Sequence, residues 1–157
     1  MGNVLVTYFS ASGSTRKVAK KLSEAIGATL FEIKPVQTYT GRDLNWNDKN
    51  SRSTLEMNDK SSRPAIAEKI DASGYDTIFI GFPIWWYTAP RIINTFLESG
   101  DFSGKKIILF ATSGGSGLGN TAADLKASAP NATIISGKIF RANANVEELK
   151  TWAESYE

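Results

Sequence analysis

Apolar positions along the chain alternate between near-continuous runs and a helical stripe. Residues 3–9 (NVLVTYF) form a nearly unbroken apolar run and read as a strand. Residues 15–26 then place Val18, Leu22, Ala25 and Ile26 on one helical face, and Gly27 is positioned to end that helix. A second strand is predicted over 28–34. The stretch 35–63 is polar, rich in Asn, Asp, Ser and Thr, and long for a bare loop, which points to a functional or mobile segment. Pro64 stands where a first helical residue is favoured, and Ile66 and Ile70 lie one turn apart, so a helix is predicted there. Residues 75–82 end almost wholly apolar, as a strand covered on both faces should. Residues 90–99 bring Ile92, Ile93, Phe96 and Leu97 onto one helical face, and 105–113 is a further buried strand. Asn120 can cap a helix over 121–129, and 132–140 is a last strand. Asn145 with Glu148 makes an Asn-led capping box opening a helix over 146–156.

Strand and helix thus alternate five times. The pattern predicts an α/β fold, a three-layer doubly wound five-stranded parallel sheet with right-handed crossovers. No repeat and no change of composition divides the chain, so residues 1–157 are expected to form one domain.

Composition narrows the chemistry. The chain is 41% hydrophobic, enough for a core, and contains neither cysteine nor histidine. Disulfides, thiolate catalysis, Cys/His metal sites, a Ser-His-Asp triad and imidazole acid–base chemistry are excluded. Redox or transfer chemistry must then come from a bound cofactor. The net charge is +2 with no Lys/Arg block, so a nucleic-acid partner is not expected. No apolar stretch approaches the roughly 18 residues of a membrane span. The start lacks a basic leader, and Val6 stands where a myristoylation signal wants Ser or Thr. The expectation is a cytoplasmic protein without a membrane partner.

Ligands of such sheets sit beyond the carboxyl ends of the strands, at the switch point. The loops leaving the first, third and fourth strands read SASGST (10–15), PIWWYTAP (83–90) and TSGGSGLGNT (112–121), and none carries a charge. The first enters a helix, whose N–H groups and dipole favour an anion. Ser10, Ser12, Ser14 and Thr15 add hydroxyl donors, and Gly13 lets the main chain approach closely. Simple capping would use one hydroxyl, not four; the spacing is neither the Walker pattern nor G-x-G-x-x-G. In the second loop Trp85, Trp86 and Tyr87 cannot all enter the core, because adjacent residues point in different directions. Either one ring is buried with two on the surface, or a flat apolar ligand stacks against at least one of them. The third loop, with Gly114, Gly115, Gly117 and Gly119 beside Thr112, Ser113 and Ser116, is either a flexible connection or bare backbone that donates to the polar edge of a planar ligand. A serine nucleophile elbow is refused, since Leu118 replaces the final glycine and no histidine exists to activate Ser116. An anion cradle, an aromatic platform and a backbone-lined edge together describe a site for flavin mononucleotide (FMN).

These residues also resemble a known family. FSASGSTRKVA is similar to the phosphate loop of flavodoxins, Ser/Thr-x-Ser/Thr-Gly-x-Thr. IGFPIWWYTAPRIINTFLES and ILFATSGGSGLGNT resemble the two flavin-ring loops of the short flavodoxin-like proteins of bacteria, as does the segment around WNDKNSRS. The resemblance covers nearly the whole chain. It implies the strand order 2-1-3-4-5 and bound FMN. It implies that Ser10, Ser12, Gly13, Ser14 and Thr15 hold the phosphate. One side of the ring would be lined by Pro83, Ile84, Trp85, Trp86 and Tyr87, the other by Thr112, Ser113, Gly114, Gly115 and Gly117. The unbroken run 132–140 resembles the short-chain form. One departure stands out: electron-carrier flavodoxins are strongly acidic, whereas this chain has a pI of about 8.8.

The functional expectation is electron transfer through the flavin, to a redox partner protein or a small planar acceptor. The alternative is an FMN-dependent NAD(P)H oxidoreductase acting on quinones or similar planar acceptors. A phosphorylation-receiver module of the same architecture would need acidic residues after the first and third strands, where Tyr8-Phe9 and Phe82-Pro83 stand instead. The 35–63 segment either folds over the flavin or a partner, with Tyr39 and Trp46 as its anchors, or is a solvated loop with incidental aromatics. Arg91 is expected to be solvated, with steering of an anionic donor as its other role; Arg16 and Lys17 face outward or assist the phosphate.

Overall fold

The third and fourth strands end level with each other and the first ends two residues short of them, so all three open onto one edge of the sheet. The computed structural model describes residues 3–113 and 117–156. Among them, five strands alternate with five helices: β1 (Val4–Tyr8), α1 (Ser14–Ile26), β2 (Thr29–Glu32), α2 (Arg52–Asn58), β3 (Thr77–Pro83), α3 (Arg91–Glu98), β4 (Lys106–Thr112), α4 (Thr121–Lys126), β5 (Thr133–Phe140) and α5 (Val146–Glu154). All pairings are parallel, in the order β2-β1-β3-β4-β5. The register sets Tyr8 beside Gly81 and Pro83 beside Thr112, so the loops leaving β1, β3 and β4 start from one edge.

Alternation along each strand divides the core in two. Val4, Val6, Tyr8, Phe79, Ile108 and Phe110 point to one face and meet Val18 and Leu22 of α1 and Leu149 and Ala153 of α5. Leu5, Ile78, Ile80, Phe82, Ile107 and Leu109 point to the other and meet Ile92, Ile93, Phe96 and Leu97 of α3 and Leu125 of α4. Both faces of the central strands are covered, which is why their sequences are continuous apolar runs. Gly27 ends α1 in the left-handed conformation, and Asn145 Oδ1 accepts from the Glu148 N–H at 2.8 Å at the start of α5. Asn120 precedes α4 without a side-chain cap bond. Among the described residues no helix is long and apolar enough to cross a membrane.

Two sequence expectations are corrected in the 35–70 region. No helix forms at 64–70. That segment is extended and lies against the chain leaving β2: Val36 N–H donates to Ala65 O at 2.9 Å, and Ala67 N–H to Lys34 O at 2.7 Å. A spacing of four residues satisfies period two as well as one helical turn, so Ile66 and Ile70 both reach the core from an extended backbone. A helix forms instead inside the polar stretch, as α2. Its buried positions are Ser53, Thr54 and Met57, while Leu55 is exposed, so no apolar stripe marks it. Ser51 caps its start. Arg91, expected in solvent, is buried: its guanidinium donates to Met57 O at 2.8 Å and occupies the carbonyl end of α2, where a cation is favoured.

Between Leu109 and Phe110 the pairing with β5 slips, leaving Gly137 between the paired Ser136 and Lys138. A Cβ at Gly137 would stand 1.9 Å from Leu109 O and 2.7 Å from Trp152 Cζ2. Because the first of these atoms is backbone, Gly137→Ala is expected to destabilise the fold by about 3 kcal/mol, read as a lowered urea midpoint. A loss below about 1 kcal/mol would mean that β5 is not bulged in this way.

Candidate functional site

The first loop turns from β1 into α1 through Gly13, which sits at φ 99°, a conformation that disfavours any side chain. Its N–H donates to Ser10 Oγ at 3.0 Å, closing the turn on itself. Thr15 is buried beneath the loop, its Oγ1 2.7 Å from Thr112 Oγ1, which ties the start of α1 to the end of β4. Ser12 and Ser14 face outward into a cleft of about 470 Å³. Pro83, Ile84 and Trp85 from the end of β3, and Thr112 and Ser113 from the end of β4, form its walls. A Cβ at Gly13 would meet no protein atom within 4 Å, so the space before the helix mouth is open. Thr15→Val is expected to cost about 2 kcal/mol of stability, because it leaves the Thr112 hydroxyl buried without its partner; urea denaturation reads this directly.

The second loop is a tight hairpin. Trp85 and Thr88 exchange backbone bonds of 2.9 and 3.1 Å, and the two residues between them, Trp86 and Tyr87, have φ of 48° and 65°. Positive φ at both central positions is the pattern of a type I′ turn, normally built from Asn and Gly. Here it lifts two rings into solvent. Trp85 instead packs edge-on against Phe9 and Tyr39, with centroids 5.7 and 5.4 Å apart. One ring joins the core and two lie on the surface. The cofactor-sized cleft therefore receives Pro83, Ile84 and Trp85, while Trp86 and Tyr87 face the neighbouring clefts. Thr88 Oγ1 donates to Asp124 Oδ2 at 2.6 Å and ties the hairpin to α4. Gly117 is exposed, and the sequence-predicted residues Gly114 and Gly115 lie outside the described residues.

Tyr39 anchors the 35–63 segment to this site. Its hydroxyl bonds the Glu56 carboxylate, and the Arg52 guanidinium lies 3.7 Å over its ring. Burial first, and the Glu56 carboxylate second, hold this phenol well above its ordinary range. Trp46 makes no such anchor; it is exposed. Arg16 pairs with Glu32 at 2.8 Å, so its charge is shared with a carboxylate at the edge of the first loop.

Sequence reasoning overlooked the end of β5. Phe140, Arg141 and Ala142 complete the cleft, and Arg141 is the charged residue among the described residues that line it. The same carboxyl-edge rule that selected the other three loops could have found it. Hydroxyls, a helix N-terminus and an indole around one cleft, with no lining carboxylate among the described residues, suit a phosphate ester carrying a flat ring.

Comparisons with known proteins agree with this fold. A candidate flavoprotein from Bacteroides eggerthii DSM 20697 superimposes with a TM-score of 0.92 at 46% identity, covering 99% of this chain and 98% of its own. A second, from Bacteroides uniformis ATCC 8492, gives 0.91 at 49% identity, covering 98% of each chain. A Lactobacillus acidophilus NCFM flavoprotein solved in complex with FMN shares the fold, with a TM-score of 0.72 at 24% identity over 98% of this chain and 99% of that one. None of the curated proteins matches. The flavodoxin profile matches residues 3–156, and the chain belongs to the flavodoxin family.

Proposed function

We propose that this chain holds one FMN in the cleft at the carboxyl edge of β1, β3 and β4 and acts as an electron-transfer flavoprotein. The observation that carries the reading is that one cleft is lined both by Ser12 and Ser14 at the start of α1 and by the apolar Ile84 and Trp85 at the end of β3. The FMN complex of the Lactobacillus relative supports it. Bound FMN supplies one- and two-electron transfer, chemistry that no side chain here provides. The chain's own residues do the rest. Ser12, Ser14 and the first N–H groups of α1 receive the phosphate. The buried Thr15–Thr112 bond fixes that mouth against β4. Trp85, held by Phe9 and Tyr39, gives the ring a rigid apolar side and excludes water from it.

A second reading, an FMN-dependent NAD(P)H oxidoreductase acting on planar acceptors, is favoured by the exposed Trp86 and Tyr87 beside the cleft. Steady-state assays with NADH or NADPH and a naphthoquinone separate the two. The carrier reading expects no turnover until a separate reductase is added; turnover by this chain alone establishes the enzyme.

A further inference from the structure

A second cleft, of about 290 Å³, shares Ile84 and Trp85 with the cofactor cleft and is lined by the 35–63 segment and the β3–α3 hairpin. Its mouth is framed by the rings of Trp46, Trp86 and Tyr87, which are 71%, 39% and 73% exposed. Leu44 and Ile84 add apolar wall, and none of the residues lining it is charged. The polar side chain in the lining other than the aromatic tips is Ser53, which is 1% exposed. Among the described residues, Ser53 Oγ is the one buried side-chain oxygen or nitrogen with no hydrogen-bond partner. A buried hydroxyl without a partner is costly, and folding alone gives no reason to keep it where alanine would fit. Its position is held firmly, because Ser53 N–H donates to Asp43 O at 2.9 Å and Arg91 caps the helix that carries it.

We infer that this cleft is a binding subsite for a neutral, planar aromatic carbonyl compound of the quinone class. Flat rings stack against the indoles at the mouth, and the Ser53 hydroxyl donates to a carbonyl oxygen at the inner end. The uncharged lining gives a phosphate or carboxylate nothing to pair with. The volume lies at the lower end of the range for small-molecule sites and suits one or two fused rings. The backbone argues the same way: positive φ at two bulky residues is strain that natural chains keep where a site uses it. Ile84 and Trp85 line both clefts, so the bound compound would lie one side chain away from the cofactor cleft. Its use as an electron acceptor rests on the flavin reading; its binding does not.

The test titrates 2-methyl-1,4-naphthoquinone into the full chain, as purified and after saturation with FMN, following tryptophan fluorescence, while FMN affinity is measured separately. One saturable site is expected in both preparations. Ser53→Ala is expected to raise the naphthoquinone Kd about tenfold, and Trp46→Leu to weaken it as well. In both variants the FMN Kd should stay within about twofold, and Ser53→Ala should keep or gain thermal stability, as a purely structural serine would not. Naphthoquinone binding without any FMN binding would sink the flavin reading and leave this inference standing. No saturable site, an unchanged affinity in Ser53→Ala, or a loss confined to FMN would overturn the inference.

Discussion

Ser14→Asp is expected to weaken FMN binding about a thousandfold while leaving the fold as stable as before or slightly more so. Ser14 is the first residue of α1, and that helix has no acidic residue in its first turn. A carboxylate there complements the helix dipole and contributes about 0.3–1 kcal/mol to the folded state. The same carboxylate faces the position assigned to the phosphate. Two like charges about 4 Å apart at an effective dielectric of about 20 repel by about 4 kcal/mol, or about three decades in Kd. Ser14→Ala, which removes one hydroxyl donor to a charged group, should cost only about tenfold. Titration of flavin fluorescence against each variant, beside thermal melts, checks both halves. An unaltered FMN affinity in Ser14→Asp would mean that the phosphate does not sit at this helix mouth.

Replacing Arg141 should shift the reduction potential of the bound flavin downward. Negative charge near the ring disfavours adding an electron, and this chain carries +2 overall with no lining carboxylate among the described residues of the cleft. At a nominal separation of about 8 Å and an effective dielectric of about 40, one charge contributes roughly 1 kcal/mol, or roughly 40 mV for one electron. Arg141→Gln is then expected to lower the potential by roughly 40 mV and Arg141→Glu by roughly 80 mV. The native protein should accordingly be less reducing than strongly acidic carriers. Arg141 is exposed, so spectroelectrochemistry at low ionic strength gives the full effect, and added salt should shrink it. A potential unmoved by Arg141→Glu would contradict the electrostatic argument.

The parts of this fold that were legible in the sequence are those whose signal is local and redundant. The central strands are apolar on both faces, so β1, β3 and β4 announce themselves without reference to neighbours. The helices α1 and α3 carry stripes that only a helix can bury, and α5 opens on a capping box. The site loops were legible because the carboxyl-edge rule says where to look and their composition is unusual. What escaped depends on partners far along the chain. Nothing local distinguishes Ile66 and Ile70 in a helix from the same pair in an extended segment; the free backbone of 34–36 decides it. The buried face of α2 carries one apolar side chain, Met57, beside the hydroxyls of Ser53 and Thr54, which periodicity counts as surface. Arg91 reads as solvated because the carbonyls that bury it belong to that unseen helix. Ser53 and Arg141 are lone polar residues whose meaning comes only from the clefts they line. The aromatic triplet was half legible: three rings could not all be buried, but which one stayed inside was set by Phe9 and Tyr39.

The most direct test is a crystal structure of the protein grown with FMN. The account predicts the phosphate against Ser12, Ser14 and the first N–H groups of α1. It also predicts the ring between the residues ending β3 and those ending β4, with Trp85 on its apolar side. A phosphate bound away from α1, or a ring lodged in another cleft, would contradict it.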